Sequence, residues 1–577
     1  MRYIQNHLLG KIWCMKLKLC KRKQHILLNA YYKRGEVYLL LAKYELAEAD
    51  FRSVLSRSLK AKLHKATIDA QNSLSRVYQF KSNFNKALRY GQAAFKKASN
   101  INYRKGIAAG LLNLANSYMF WGKYEKALKY QKMALEINRY LKDPSELTLC
   151  LQGIANVHYY RGEYKQALEL LNKAMKLCIS NDDKFLQIQT LINMGNVYHA
   201  QGDFQQARDK YEQSLILQNE VGDKYGQGKA LNNLGNVLRA LGKYHEALET
   251  YQQALVIATA ISERQLTERS LGNIANMHYY LGNYRRAIHF YNRLLPLRQE
   301  IGNRSGEALT LNNLGAAYQV LGNYSQALRY YQQASDIRAE IGDLKGLGTT
   351  LANMASLYCY LGVPDLALDL SKRSLKIRTE IGDKIGQAQT IKSTALVFLS
   401  INQYKNALKT FKEALNIFKT LNAQHGEMEV MVYIGETYYC MEQYEIAKNC
   451  LIKPLLWAEE NKVNELIARI LILLVDIDIS LINFSPEHLL KQLERARKII
   501  RTMNLPELEW RLAQSYGRLY EKIDKNKSAL KYYIKAAVSI EQTVSKFGNK
   551  KLARSYKEDP RKKPLYDAIE RLKNAKG

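Results

Sequence analysis

Asparagine recurs in this sequence at two positions of one fixed spacing. Asn113, Asn193, Asn233, Asn273, Asn313 and Asn353 stand multiples of 40 residues apart, and so do Asn116, Asn156, Asn196, Asn236 and Asn276. Asparagine is a mediocre helix former and gains little mid-helix unless its amide finds partners. A carboxamide both donates and accepts, so a column of them can pair with the backbone of an extended peptide whatever its side chains. The competing use is internal, with amides bridging neighbouring helices of the scaffold. About one turn beyond the amides lie Met119 and Phe120, Tyr159 and Tyr160, His199, Arg239, Tyr279 and Tyr280, and Tyr360. Rings beside amides make a peptide floor, because they supply contact area at small entropy cost; packing between repeats is again the alternative.

No other chemistry competes with recognition. The sequence holds no Gly-rich phosphate loop before Lys-Ser/Thr, no H-E-x-x-H, no G-x-S-x-G and no kinase signature set, so no enzymatic activity and no cofactor are expected. His158 and His278 fall on a packing position of the repeat, and Gly-x-Gly stretches such as Gly226-Gln-Gly228 read as turns in links. The seven cysteines form no C-x-x-C pair and have no histidines at metal spacing, which points to ordinary thiols, no metal and a reducing, cytoplasmic setting.

The elements that hold the amides are legible in Leu231–Leu255. Leu231, Leu234, Gly235 and Leu238 recur at helical spacing, Leu241-Gly242-Lys243 breaks the run, and Tyr244, Ala247, Leu248, Tyr251, Ala254 and Leu255 line a second helix. Two helices with a short break form an antiparallel hairpin, which needs neighbours to bury its apolar faces. Ala247 recurs every 40 residues from Ala47 to Ala447, and an aromatic stands three residues before each except at Pro364. The position of Gly235 is always small: Gly35, Ser75, Ala115, Ala155, Gly195, Ala275, Gly315, Ala355, Ala395 and Gly435.

Leu231, Leu234, Gly235, Leu238, Tyr244, Ala247, Tyr251 and Ala254 fall on the signature positions of the tetratricopeptide repeat, which the chain resembles over most of its length. The period departs, at 40 residues against the usual 34. The added residues include the links Glu220-Val-Gly-Asp-Lys, Glu340-Ile-Gly-Asp-Leu and Glu380-Ile-Gly-Asp-Lys, where glycine reads as a helix C′ residue and Asp as the next N-cap. Long repeats of this kind are similar to those of kinesin light chains, GoLoco-bearing adaptors, peptide-sensing bacterial regulators and bacterial CHAT or signalling-ATPase proteins. The resemblance implies an all-α, right-handed superhelical solenoid of about thirteen hairpins, whose first helices line the concave side. Similar asparagine ladders line the grooves of the peptide-binding adaptors. No CHAT, ATPase, GoLoco or heptad segment accompanies the repeats, so the particular activities of those relatives are not implied.

Residues 1–28 read as a basic N-terminal extension, 29–460 as eleven repeats, 461–538 as two degenerate hairpins and 539–577 as charged capping helices. Met1–Leu28 carries seven Lys and Arg residues and no acid; a packing helix, a transit-type address and a cationic membrane-surface helix all fit it. Ser485 and Pro486 read as the N-cap and first residue of a helix, and Ile470–Ile482 as a buried helix too short and too charged to span a membrane. The formal charge of +34 admits nucleic acid or an anionic membrane as partner, although the basic residues are spread over every repeat. These readings converge on a non-enzymatic scaffold that binds an extended peptide or a helix of another protein. Its groove is assigned to Asn113, Asn116, Asn156, Asn193, Asn196, Asn233, Asn236, Asn273, Asn276, Asn313, Tyr160 and Tyr280. Two alternatives stand beside it: the sensor arm of a bacterial-type signalling or transcription system, and a cationic nucleic-acid or membrane-surface binder.

Overall fold

Every 20 residues the chain meets a helix stop, and the stops are built as the links suggest. Gly222, Gly342 and Gly382 adopt left-handed φ of +71°, +70° and +71°. One residue on, Asp223, Asp343 and Asp383 each accept the amide of the residue three further along, at 2.9, 2.9 and 3.0 Å. Left-handed glycine ends one helix without a Cβ clash, and the carboxylate satisfies a donor at the start of the next. Pro364 opens its helix at a position with no N–H to lose, and Ser485 caps the helix that Pro486 begins.

The computed structural model describes residues 21–40, 43–81, 83–481 and 484–574, so the readings made on residues 1–20, with Cys14 and Cys20, lie outside the described residues. Within the described residues there are 28 α-helices, one 3-10 turn and no strand. Successive helices pair as hairpins in an all-α array. The first helix, Lys21–Leu40, runs unbroken through position 28. No helix among the described residues is long and apolar enough to cross a membrane. Two compact units divide the chain, Met1–Leu241 and Gly242–Gly577.

Each hairpin closes on its small residue. A Cβ added to Gly195 would stand 2.7 Å from the Tyr211 ring, and one at Gly315 2.7 Å from the Tyr331 ring. Both tyrosines are buried, as are the alanines four residues before them. At these two hairpins the first helix must therefore be bare where the second lays its ring, because interiors tolerate no overlap of that size. Gly226-Gln-Gly228 departs from its reading as a turn. It lies inside the first turns of the helix Lys224–Ala240, where Gly226 leaves room for the capping Asp223 and for Gln218.

The second unit adds a cross-brace. Arg338 and Arg378, near the ends of second helices, are buried; each bonds a glycine carbonyl (Gly346, Gly386) and a threonine (Thr350, Thr390) of the following hairpin. The C-terminal segment also does more than cap an end. Its helices Lys550–Lys557 and Lys563–Asn574 flank a 3-10 turn at Pro560–Lys562. They pack against Asn526–Val544 and reach back to two earlier hairpins. Tyr556 and Tyr324 both donate to the carboxylate of Glu507, and Arg561 donates to the Cys359 carbonyl at 3.2 Å. The Lys562 ammonium is buried 3.4 Å from the Tyr556 ring centroid and donates to the Tyr556 carbonyl at 2.7 Å. A buried amphipathic cation is tolerated only with such partners.

Two outcomes follow from this packing. Gly195→Ala drives a methyl into the Tyr211 ring and should lower unfolding stability by about 1–3 kcal/mol in urea titration. Burial brings Lys562 down to about 8, against the pull of Glu507 and Asp559, from an ordinary 10.5. Between those two values the unfolded chain keeps a proton that the folded chain has lost, so this group makes stability rise with pH across that window. The unfolding midpoint of the native chain should gain on that of Lys562→Met as pH is raised from about 8 to about 10.5.

Candidate functional sites: an amide-lined face and a charged cavity

The assigned asparagines divide by what they already hold. In the first unit the buried amide of Asn113 donates to the Asn72 carbonyl at 3.2 Å and to its side-chain oxygen at 3.1 Å, tying one hairpin to the previous one. Asn116 accepts from Gln131 at 3.3 Å and Asn196 from the Tyr211 hydroxyl at 2.6 Å, each across its own hairpin. In the second unit Asn276 accepts from the Tyr291 hydroxyl at 2.7 Å and from Asn313 at 3.3 Å, and Asn353 donates to Asn312 at 3.1 Å. Asn236 and Asn273 also have partners. For Asn113, Asn116, Asn196, Asn276, Asn313 and Asn353 the internal bridging use is realised, and it explains why an amide is placed mid-helix there.

Asn156, Asn193 and Asn233 differ. They are half-buried, lie on the helices Pro144–Tyr160, Lys184–Gln201 and Lys224–Ala240 of three successive hairpins, and bond no other described residue. The Asn193 amide nitrogen is closed off from solvent without an acceptor. Tyr160 lies one turn beyond Asn156 with 54% of its surface exposed, stacked on Tyr124 at 6.2 Å. Phe120 is 56% exposed and stacks on Phe84. In the second unit Tyr280 is 57% exposed and stacks on Tyr244, whereas Tyr279 packs against the core. The exposed rings are thus held at one face by the aromatic that opens the preceding second helix. His278 is buried and stacked on Phe290 at 5.3 Å; burial, with Arg286 nearby, holds its ring below the usual range. His158 pairs with Glu163.

A second site was not read in the sequence. The column of Asn236 and Asn276 continues past three uncharged residues as Glu436 and Asp476, and then, after a shift of two residues, as Arg518. In the second unit these side chains line a cavity of ≈ 960 Å³ between the last hairpins and the C-terminal helices. Its walls carry Arg469, Arg511, Arg518, Lys522, Arg561 and Arg571 against Glu436, Asp476 and Glu521. Arg511 pairs with Glu436 at 2.9 Å, Arg518 with Asp476 at 3.2 Å, and Arg571 with Glu521 at 2.6 Å. Following the amide column to its end would have shown the change from amide to charge; the closure by the tail has no local signal. Five described cysteines are free thiols, and the described residues contain no cluster able to hold a metal ion.

Sequence models of the tetratricopeptide repeat match residues 106–180, 147–220, 186–260, 226–300, 266–340 and 346–420, and residues 28–60. The matches span more than half of the chain, which belongs to the tetratricopeptide repeat family. Among solved structures it is similar to the apo form of the quorum sensor NprR from B. thuringiensis, at 19% identity over 58% of this chain and 92% of that one, TM-score 0.42. It is also similar to the apo form of RapI (13%, 62% and 99%, TM-score 0.46) and to BtubC from P. vanneervenii (22%, 38% and 92%, TM-score 0.36). A search of curated proteins finds no match.

The two groups of amides separate by substitution. Asn276→Ala strips the Tyr291 hydroxyl and the Asn313 amide of an acceptor and should cost about 1–2 kcal/mol. Asn156→Ala removes no internal bond and should stay within about 0.5 kcal/mol of the native chain, both read by thermal unfolding.

Proposed function

We propose that this protein is a non-enzymatic interaction scaffold that holds an extended peptide or a helix of a partner protein on the first-helix face of hairpins four to six. The observation that carries the reading is the set Asn156, Asn193 and Asn233, three amides in successive repeats without a hydrogen-bond partner among the described residues. Half-buried amides that the scaffold leaves unmet have hydrogen-bonding capacity to offer a ligand, through the oxygen alone at Asn193. The exposed rings of Phe120 and Tyr160 beside them supply apolar area. Amide pairing to a ligand backbone supplies affinity with little demand on its side chains, and the rings select among them. Membership in a family of repeats that serve as protein-interaction surfaces supports the coarser part of this reading.

A cationic reading has one observation of its own. On the helix Pro486–Met503 a surface groove is lined by Lys491, Arg495, Arg497, Lys498 and Arg501 with the single acid Glu494. Contacts of that kind weaken steeply with salt, whereas amide and ring contacts do not. Capture from source lysate on the native chain and on the Asn156→Ala/Asn193→Ala/Asn233→Ala variant, washed at low and high salt, separates the two. A protein kept at high salt by the native chain and lost from the folded variant is the expected result. Equal retention by both at low salt, lost by both at high salt, would replace the amide face with the basic helix.

A further inference from the structure

The charged cavity of the second unit has unmet binding capacity of a definite kind. Three of its six cations are matched by the carboxylates that share its wall, and Arg561 is held by Asp559 at 2.5 Å. Arg469 and Lys522 remain. The Arg469 side chain is 15% exposed and forms no hydrogen bond with any described residue; its nearest carboxylate oxygen, on Glu465, stands 3.7 Å away. Its guanidinium lies 5.3 Å from the Tyr433 ring centroid. Burial opposes the charge, but Tyr433, Tyr360, Glu465 and Glu436 outweigh it, so the group stays protonated with its full set of donors. Donors on the wall of a half-open cavity and largely removed from bulk water call for an acceptor.

A second cation on the same wall, Arg518, donates to the Tyr439 hydroxyl and faces Asp476. Asp476 Oδ1 lies 3.2 Å from Arg518 but accepts no hydrogen bond. Burial raises the Asp476 carboxyl above its usual range despite Arg518, which weakens that ion pair. Lys522 is the third cation here, at the end of the helix that carries Arg511 and Arg518. The volume of ≈ 960 Å³ exceeds what a bare inorganic ion fills and sits at the upper end of small-molecule pockets. Ile472, Leu473 and Leu508 add apolar wall for a carbon skeleton.

We propose that this cavity binds a small organic polyanion, a phosphate ester or a di- or tricarboxylate, on Arg469 with Arg518 and Lys522 closing round it. Planar guanidinium groups match the paired oxygens of carboxylate and phosphate, and a concave, net-positive wall concentrates such anions. The tail that closes the cavity holds its Arg561 and Arg571 in ion pairs, so the wall is preformed and little ordering is left for binding. The site uses none of the residues of the amide face, and the two proposals stand or fall separately.

The test is calorimetric titration of the full chain with sodium pyrophosphate and, separately, with sodium citrate, at matched ionic strength. The variants are Arg469→Met and Cys440→Trp. Cys440 stands on the cavity wall with an exposed side chain, so tryptophan there fills the space without altering a charge. A Lys491→Ala/Lys498→Ala/Arg501→Ala variant controls for the basic helix outside the cavity. The expected result is saturable binding of at least one anion, weakened about tenfold or more by either cavity variant and unchanged in the control. Pyrophosphate alone would identify phosphate chemistry and citrate alone carboxylate chemistry. Absence of saturable binding overturns the proposal. So does binding that survives both folded cavity variants, or that disappears in the surface control.

Discussion

One contact recurs through the array: a residue without a side chain, or nearly so, on the first helix of most hairpins lies under a ring or leucine of the second. Gly195 under Tyr211, Gly315 under Tyr331 and Gly517 under Tyr533 show the aromatic form, and Gly435 under Leu451 the aliphatic one. Because the glycine sites leave no room for a Cβ under their rings, the contact fixes how close the two helices come there. It thereby fixes which residues face outward and which face the next hairpin. The links complete the constraint. A left-handed residue stops one helix and the next begins two residues on, with a capping carboxylate at links such as Gly222-Asp223, so little slack accumulates.

With geometry repeated, chemistry is free to vary at a given position. The position after the small residue is asparagine in hairpins three to seven, where four of the five amides serve the scaffold and Asn156 does not. The same position becomes Glu436 and Asp476 in hairpins eleven and twelve and Arg518 in the last. There the wall needs charge, because the C-terminal helices close over it and bring Arg561 and Arg571 into the same space. Burial makes those charges cost energy unless paired, and most of them are. The closure itself is polar as well as apolar: Glu507 is raised by burial, yet the Lys562 charge and hydrogen bonds from Tyr324, Tyr556 and Trp510 hold its carboxyl below the usual range. It can therefore anchor two tyrosines as an acceptor.

Much of this was legible before any coordinates. The hairpins, their period, the helix stop at Gly222-Asp223, Pro364 as a first helical residue and the Ser485 cap all follow from local rules, because the forces that set them act within a few residues. Gly226 was misread for an instructive reason. Glycine usually marks a turn, but here it sits in a helix because the preceding cap and Gln218 occupy the space of its Cβ. The partners of the amides were not legible. Whether Asn196 or Asn156 is engaged depends on whether a tyrosine such as Tyr211 stands across the hairpin, and the Asn156 hairpin has Leu171 there instead. Nor was the return of Tyr556 and Arg561 to Tyr324 and Cys359, contacts that span some two hundred residues of sequence.

The proposed place for a partner is the first-helix face of hairpins four to six. Amide hydrogen exchange of the full chain, with and without the segment retained at high salt, measures this most directly. Added protection is predicted in Pro144–Tyr160, Lys184–Gln201 and Lys224–Ala240, with the second helix Tyr164–Ser180 unchanged. Protection confined to second helices, or to Pro486–Met503, would contradict it.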